Sequence, residues 1–148
     1  MIRKALVNTA LLVGLSALSL PSWAVIELWH SDTVWASQGM CAATFTLDGG
    51  GSDGSGRDIG RLEIAVDVLD KSGKRLDSDT LEVEPFSDSE ATRYQTAQLI
   101  GEDYCKDNLI INITRVTETV NGKQRAIPLS ELGSRDFKPF TVNIAGKE

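Results

Sequence analysis

Apolar and polar residues alternate along most of this chain. Leu62, Ile64, Val66 and Val68 are separated by Glu63, Ala65 and Asp67, the period of two that a strand buried on one face requires. Cys41, Ala43, Phe45 and Leu47 alternate with Ala42, Thr44 and Thr46, and Leu109, Ile111 and Ile113 with Ile110, Asn112 and Thr114. Counting back by twos from Leu109 reaches Asp107 and Cys105, which puts both cysteines in phase with inward faces unless a turn at Lys106 breaks the count. Further strands are predicted over 25–29 and 33–36, 74–84, 92–100, 109–120 and 123–129, and from Phe140 to Ile144. Parity shifts between Leu76 and Leu81, the mark of a β-bulge. Asn121-Gly122 predicts a tight hairpin and Lys71-Ser72-Gly73-Lys74 another turn, while Ser87-Asp88-Ser89-Glu90 offers the cap of a single helical turn. No long stretch carries a helical period. Seven to eight short strands with frequent turns predict one all-β domain, a β-sandwich.

The first 24 residues depart from this pattern. Arg3 and Lys4 precede a mostly apolar run from Ala5 to Leu20, Pro21 ends it, and Ser22-Trp23-Ala24 puts small residues where a signal peptidase reads. Residues 1–24 are therefore expected to be a signal peptide cleaved after Ala24, leaving a single secreted or periplasmic domain over 25–148. The apolar run is short of the about 20 residues a spanning helix needs. Losing Arg3 and Lys4 from 15 basic residues, against 21 acidic ones, takes the net charge from −6 to −8. Such a surface repels phosphate backbones and anionic headgroups, which argues against nucleic acid and membrane as partners. It suits a basic protein partner, and it equally serves solubility.

Cys41 and Cys105 are the two cysteines, and an oxidising compartment favours their one possible disulfide. A redox pair would usually be spaced Cys-x-x-Cys, and zinc wants about four ligands. With His30 the only histidine, neither can be built well, so no metal and no cofactor is expected. Ser31 and Asp32 follow His30, but neighbours on a strand point to opposite faces and form no triad. No catalytic residue is assigned, and the protein is expected not to be an enzyme. The segment from Asp48 to Asp58 lacks the Lys-Ser/Thr of a phosphate loop and the acidic spacing of an EF-hand. It is predicted to be a flexible connector, with Gly49, Gly50, Gly51, Gly54 and Gly56 giving it freedom, and a candidate hinge for exchanging strands between two chains. The segment from Asp103 to Asp107 is the other candidate hinge. Trp29, Trp35 and Tyr94 are candidate anchors for a protein partner, although tryptophans more often pack in a core. Tyr104 lies one residue before Cys105, where an antibody-type corner tyrosine lies two before the second cysteine, and the strand from Leu62 has no tryptophan. A fibronectin type III-like sandwich, which needs neither feature, fits better than a true immunoglobulin domain.

Val-Ile-Glu-Leu-Trp-His from Val25, the Gly/Asp-rich loop, Gly-Glu-Asp-Tyr-Cys ending at Cys105 and the final strand at Phe140 together resemble the interleukin receptor mimic protein A family of bacteria. The resemblance lies in overall sequence character and includes no catalytic or binding motif. It implies a secreted fibronectin type III-like sandwich that forms a homodimer by strand exchange. It also implies binding to host cytokine and cytokine-receptor proteins, namely interleukin-2, its receptor and the interleukin-10 receptor, and so a role in virulence. The alternative is a periplasmic structural or assembly accessory protein of the same architecture.

Overall fold

The computed structural model describes residues 26–50, 58–87 and 89–146. The expected signal peptide and Gly51, Gly54 and Gly56 lie outside them. Eleven strands follow in order: β1 (Ile26–Ser37), β2 (Met40–Asp48), β3 (Asp58–Ile59), β4 (Arg61–Leu69), β5 (Arg75–Val83), β6 (Phe86–Ser87), β7 (Tyr94–Gly101), β8 (Ile110–Val120), β9 (Lys123–Ile127), β10 (Leu132–Ser134) and β11 (Thr141–Ile144). One sheet has the order β10-β1-β2-β7; the other has the order β11-β8-β4-β5 with β9 also paired to β8, and β3 and β6 form a small ribbon. The two large sheets make the expected sandwich. Eight strands coincide with segments read from alternation; β3, β6 and β10 are two or three residues long and carry no readable period.

The predicted inward faces form the core. Leu62, Ile64, Val66 and Val68 of β4, Ala43, Phe45 and Leu47 of β2, and Leu109, Ile111 and Ile113 at and within β8 are all buried. Bulges redirect three strands. The pairing of β5 with β4 steps over Leu76, which turns Leu76 towards the core as the parity shift required. A shift at Ser31 of β1 sets His30 opposite Phe45 and Asp32 opposite Thr44. A shift at Thr114 of β8 carries Val116 and Glu118 inward. Asn121 and Gly122 both have positive φ, 52° and 76°, the primed turn that Asn-Gly favours.

Two local expectations are corrected. Cys105 is not on a strand: it ends the 3₁₀ turn Asp103–Cys105 between β7 and β8, so the count by twos from Leu109 fails at Asn108, whose φ is 56°. Of the segment expected to cap a helical turn, Asp88 lies outside the described residues, and among the described ones no helical turn forms: Ser87 belongs to β6, and its hydroxyl takes the Ser89 N–H at 3.1 Å and bonds Thr92 Oγ1. The disulfide itself is present, joining Cys41 of β2 to Cys105 with Cα atoms 5.1 Å apart. Beside it the buried Tyr104 donates its hydroxyl to Asp79 Oδ2 of β5 at 2.7 Å. The 3₁₀ turn is thus tied to both sheets, and burial with this bond holds the phenol well above its usual pKa.

Candidate protein-binding face

The outer face of the β10-β1-β2-β7 sheet carries the side chains that alternate away from the core. Cross-strand register sets them in rows. Trp29 lies opposite Thr46 and Thr46 opposite Thr96; Glu27 lies opposite Asp48 and Asp48 opposite Tyr94. At the other end Val34, Ala42 and Ile100 form an apolar row. Trp29 and Tyr94 therefore share one face, two strands apart, which is about 10 Å at the usual strand spacing.

Two guanidinium groups frame these rings. Arg135 follows β10, anchored by its N–H on the Leu28 carbonyl at 3.2 Å. Its side chain grips Glu27 with two bonds of 2.5 and 2.6 Å and lies 5.6 Å from the centre of the Trp29 ring. Phe137 meets the same ring edge-on at 5.4 Å. On the β7 side Arg93 grips Asp48 with bonds of 2.8 and 2.7 Å and lies 4.9 Å from the centre of the Tyr94 ring. Each fork is neutralised by a carboxylate beside it, while its plane covers an aromatic ring. Such cation–π contacts contribute about 0.5–1 kcal/mol each at exposed sites. Tyr94 and Phe137 remain 57% and 60% exposed. Tryptophan, tyrosine and arginine are the types enriched at interface hot spots.

The Asp48–Arg93 pair also shapes the start of the Gly-rich segment. Asp48 Oδ1 accepts the Gly50 N–H at 2.8 Å, and these bonds, led by the Arg93 fork, hold the Asp48 carboxyl below the usual carboxylate range. A Cβ at Gly49 would stand 2.7 Å from Ile59 Cδ1 and 2.8 Å from the Ser87 carbonyl; one at Gly50 would stand 2.6 Å from the Arg93 guanidinium. In this conformation both glycines make room for close packing.

Trp35 is placed elsewhere. It pairs with Cys41 at the disulfide end of β1, is 70% exposed, and lines a cleft of about 430 Å³ with His30, Tyr104, Cys105, Lys138 and Phe140. His30 is buried at this end of the core and consumed by the fold. Its Nδ1 accepts the Phe140 N–H at 3.3 Å, and its Nε2 lies 2.9 Å from the Asp32 carbonyl and 2.6 Å from Thr33 Oγ1. A carbonyl can only accept, so Nε2 carries the proton. The ring stacks on Phe140 at 4.1 Å, and burial lowers its pKa. Among the described residues no group of three or more histidine, cysteine or acidic side chains is placed to hold a metal ion. Nor is any helix long and apolar enough to cross a membrane.

Residue type alone pointed to Trp29, Tyr94 and Trp35; the structure brings the first two together and sets the third apart. Arg93, Arg135 and Phe137 carried no sequence signal. Arg135 meets Glu27 across 108 positions and Arg93 meets Asp48 across 45, contacts that only the sheet register creates.

Comparison with known proteins accords with this architecture. The family model for interleukin receptor mimic protein A matches residues 26–135, a span that takes in Trp29, Arg93, Tyr94 and Arg135. The solved structure described as the structural characterization of IrmA from Escherichia coli is similar with a TM-score of 0.66 and 36% identity, over 77% of this chain and 93% of that one. No curated protein matches significantly. With the family model covering most of its length, the chain belongs to the interleukin receptor mimic protein A family.

Proposed function

We propose that this protein is a secreted, non-enzymatic binding module that presents the outer face of its β10-β1-β2-β7 sheet to host cytokine or cytokine-receptor proteins, with interleukin-2, its receptor and the interleukin-10 receptor as the first candidates. The observation that carries the proposal is the Trp29–Tyr94 face, where two aromatic anchors are held by Arg135 and Arg93 and flanked by Phe137. Family membership supplies the class of partner. Export through a signal peptide cleaved after Ala24 belongs to the same proposal and is supported by the Cys41–Cys105 disulfide. A pair of chains with strands exchanged about the segment from Asp48 to Asp58 would display two such faces.

The test is binding of the purified, oxidised protein to immobilised cytokines and cytokine-receptor ectodomains. Saturable binding, abolished by free ligand, supports the proposal. Absence of binding across the panel with the disulfide intact rejects it in favour of a periplasmic accessory role.

A further inference from the structure

Trp29 and His30 are neighbours on β1 and point to opposite faces of the sheet, and one connection touches both. It runs from β10 to β11, from the edge of one large sheet to the edge of the other. The Arg135 N–H on the Leu28 carbonyl at 3.2 Å anchors its start, and the Thr141 N–H on the Leu109 carbonyl at 3.0 Å anchors its end. Between these anchors the Arg135 and Phe137 side chains meet the Trp29 ring on the outer face. On the inner side the Phe140 N–H donates to His30 Nδ1 at 3.3 Å, and the two rings stack at 4.1 Å.

The Phe140–His30 bond belongs to the neutral ring. The Asp32 carbonyl accepts from Nε2 at 2.9 Å, so the neutral ring keeps its proton there and a lone pair on Nδ1. A second proton, on Nδ1, would set one N–H against another where His30 is 2% and Phe140 3% exposed. A buried donor without an acceptor and a buried charge are both costly, so the imidazolium and the docked connection disfavour each other. The groups around the ring tilt the balance in both directions. On β1 the Asp32 carbonyl and carboxylate favour the imidazolium, while Lys138 on the connection opposes it. From β2 come the Phe45 ring at 5.5 Å and the disulfide-bonded Cys41. The 3₁₀ turn and the residues after it add Tyr104, Cys105, Lys106 and Asp107 around the same cleft, with Lys106 paired to Asp103 at 2.8 Å. Burial outweighs Asp32 and favours the neutral ring.

We propose that His30 is a proton-operated clasp for the partner-binding face: protonation at Nδ1 releases Phe140, loosens the connection that sets Arg135 and Phe137 against Trp29, and so weakens binding in acid. The inference rests on the reading of the Trp29–Tyr94 face as the binding surface and adds its regulation. Linkage makes the effect reciprocal. A partner that needs the docked connection binds the form with neutral His30, so acid lowers its affinity and its binding makes His30 harder to protonate. The working range is that of histidine titration, between pH 5 and 8.

Two measurements separate the clasp from the binding reading. The first needs no partner: NMR of the oxidised protein, titrated downwards from about pH 7.5 through the histidine range, follows the His30 ring nitrogens, the Phe137 and Phe140 amides and the Trp29 indole N–H. All are expected to change with one midpoint. In F137A, which removes an exposed side chain, His30 and Phe140 should still titrate together while the Trp29 response shrinks. The second is affinity for whichever cytokine or receptor ectodomain is captured at neutral pH. Acidification to about pH 5.5 is expected to weaken it about fivefold or more. H30Q, whose amide oxygen can accept from Phe140 at either pH, is expected to lose most of that change. A Trp29 indole that ignores the His30 midpoint, or responds as strongly in F137A, overturns the clasp, and so does a pH dependence of affinity unchanged in H30Q. If no partner is captured the binding reading falls, and the partner-free titration alone decides whether the clasp stands.

Discussion

At the scale of single residues, two polar side chains buried at the margins of the sandwich, Asp48 and His30, are met by hydrogen-bond partners whose removal is measurable. Asp48 is nearly buried and its carboxylate is matched by the Arg93 fork. Truncation by Arg93→Ala removes both guanidinium bonds and leaves the Gly50 N–H as the protein donor to Asp48, and is expected to destabilise the domain and to raise the Asp48 pKa towards its ordinary value; denaturant unfolding of the variant measures it. His30 gives a pH signature. Its Nδ1 must accept from Phe140, so the folded state favours the neutral ring, and burial lowers its pKa from 6.5. A depressed folded pKa means that the stability contributed by the neutral ring is complete above the unfolded value and is lost as pH falls through the folded one. Histidine is the side chain whose ordinary titration falls between pH 5 and 8, and His30 is the one the chain has. The melting temperature is therefore expected to fall as pH drops from 7 towards 5.5, and His30→Gln should flatten that slope. An equal slope in the variant would assign the effect elsewhere.

At the scale of elements, alternation was legible wherever a strand is long and one face is buried, because a period of two is a local property. β2, β4 and β8 follow it, and the bulge in β5 was visible because Leu76 and Leu81 cannot share a face without one. The bulge at Ser31 lies among polar residues and left no such trace, whereas the one at Thr114 shifts parity between the buried Ile113 and Val116. β10 was illegible because three residues have no period and its place beside β1 depends on a parallel pairing across the whole chain. The same limit applied to the candidate site: Trp29 and Tyr94 stood out by type, whereas Arg93 and Arg135 became meaningful only when register set them over those rings. Gly60 shows how closely the elements join. It separates β3 from β4, its N–H meets the buried Glu118 at 2.8 Å, and a Cβ there would lie 2.4 Å from the Thr119 carbonyl. Gly60→Ala is expected to destabilise the domain by about 1–3 kcal/mol, the range for forced overpacking, again read by unfolding.

At the scale of the whole molecule, the disulfide reports on assembly. Cys41 precedes the Gly-rich segment and Cys105 follows it. If two chains exchange β1 and β2 about that segment, each closed sandwich takes its Cys41 from one chain and its Cys105 from the other. Such a pair runs at twice the chain mass on a denaturing gel without reductant, and at single mass with it. Chains that each keep their own sandwich hold the disulfide within the chain and give single mass in both lanes. The sandwich also has two faces of different character. One carries Trp29, Tyr94, Arg93 and Arg135; the other, on β4 and β8, carries Glu63 opposite Thr117.

The difference between the two faces can be read by binding. Affinity for whichever cytokine or receptor ectodomain the oxidised protein captures should be measured for Trp29→Ala, Tyr94→Ala, Trp35→Ala and, on the opposite face, Glu63→Lys. Trp29→Ala is expected to weaken binding by about 2 kcal/mol or more, near thirtyfold. Tyr94→Ala should weaken it in the same direction, with Trp35→Ala and Glu63→Lys close to the parent. Parent-like affinity in Trp29→Ala and Tyr94→Ala, with loss in Glu63→Lys or Trp35→Ala, would place the binding surface elsewhere and contradict the proposed face.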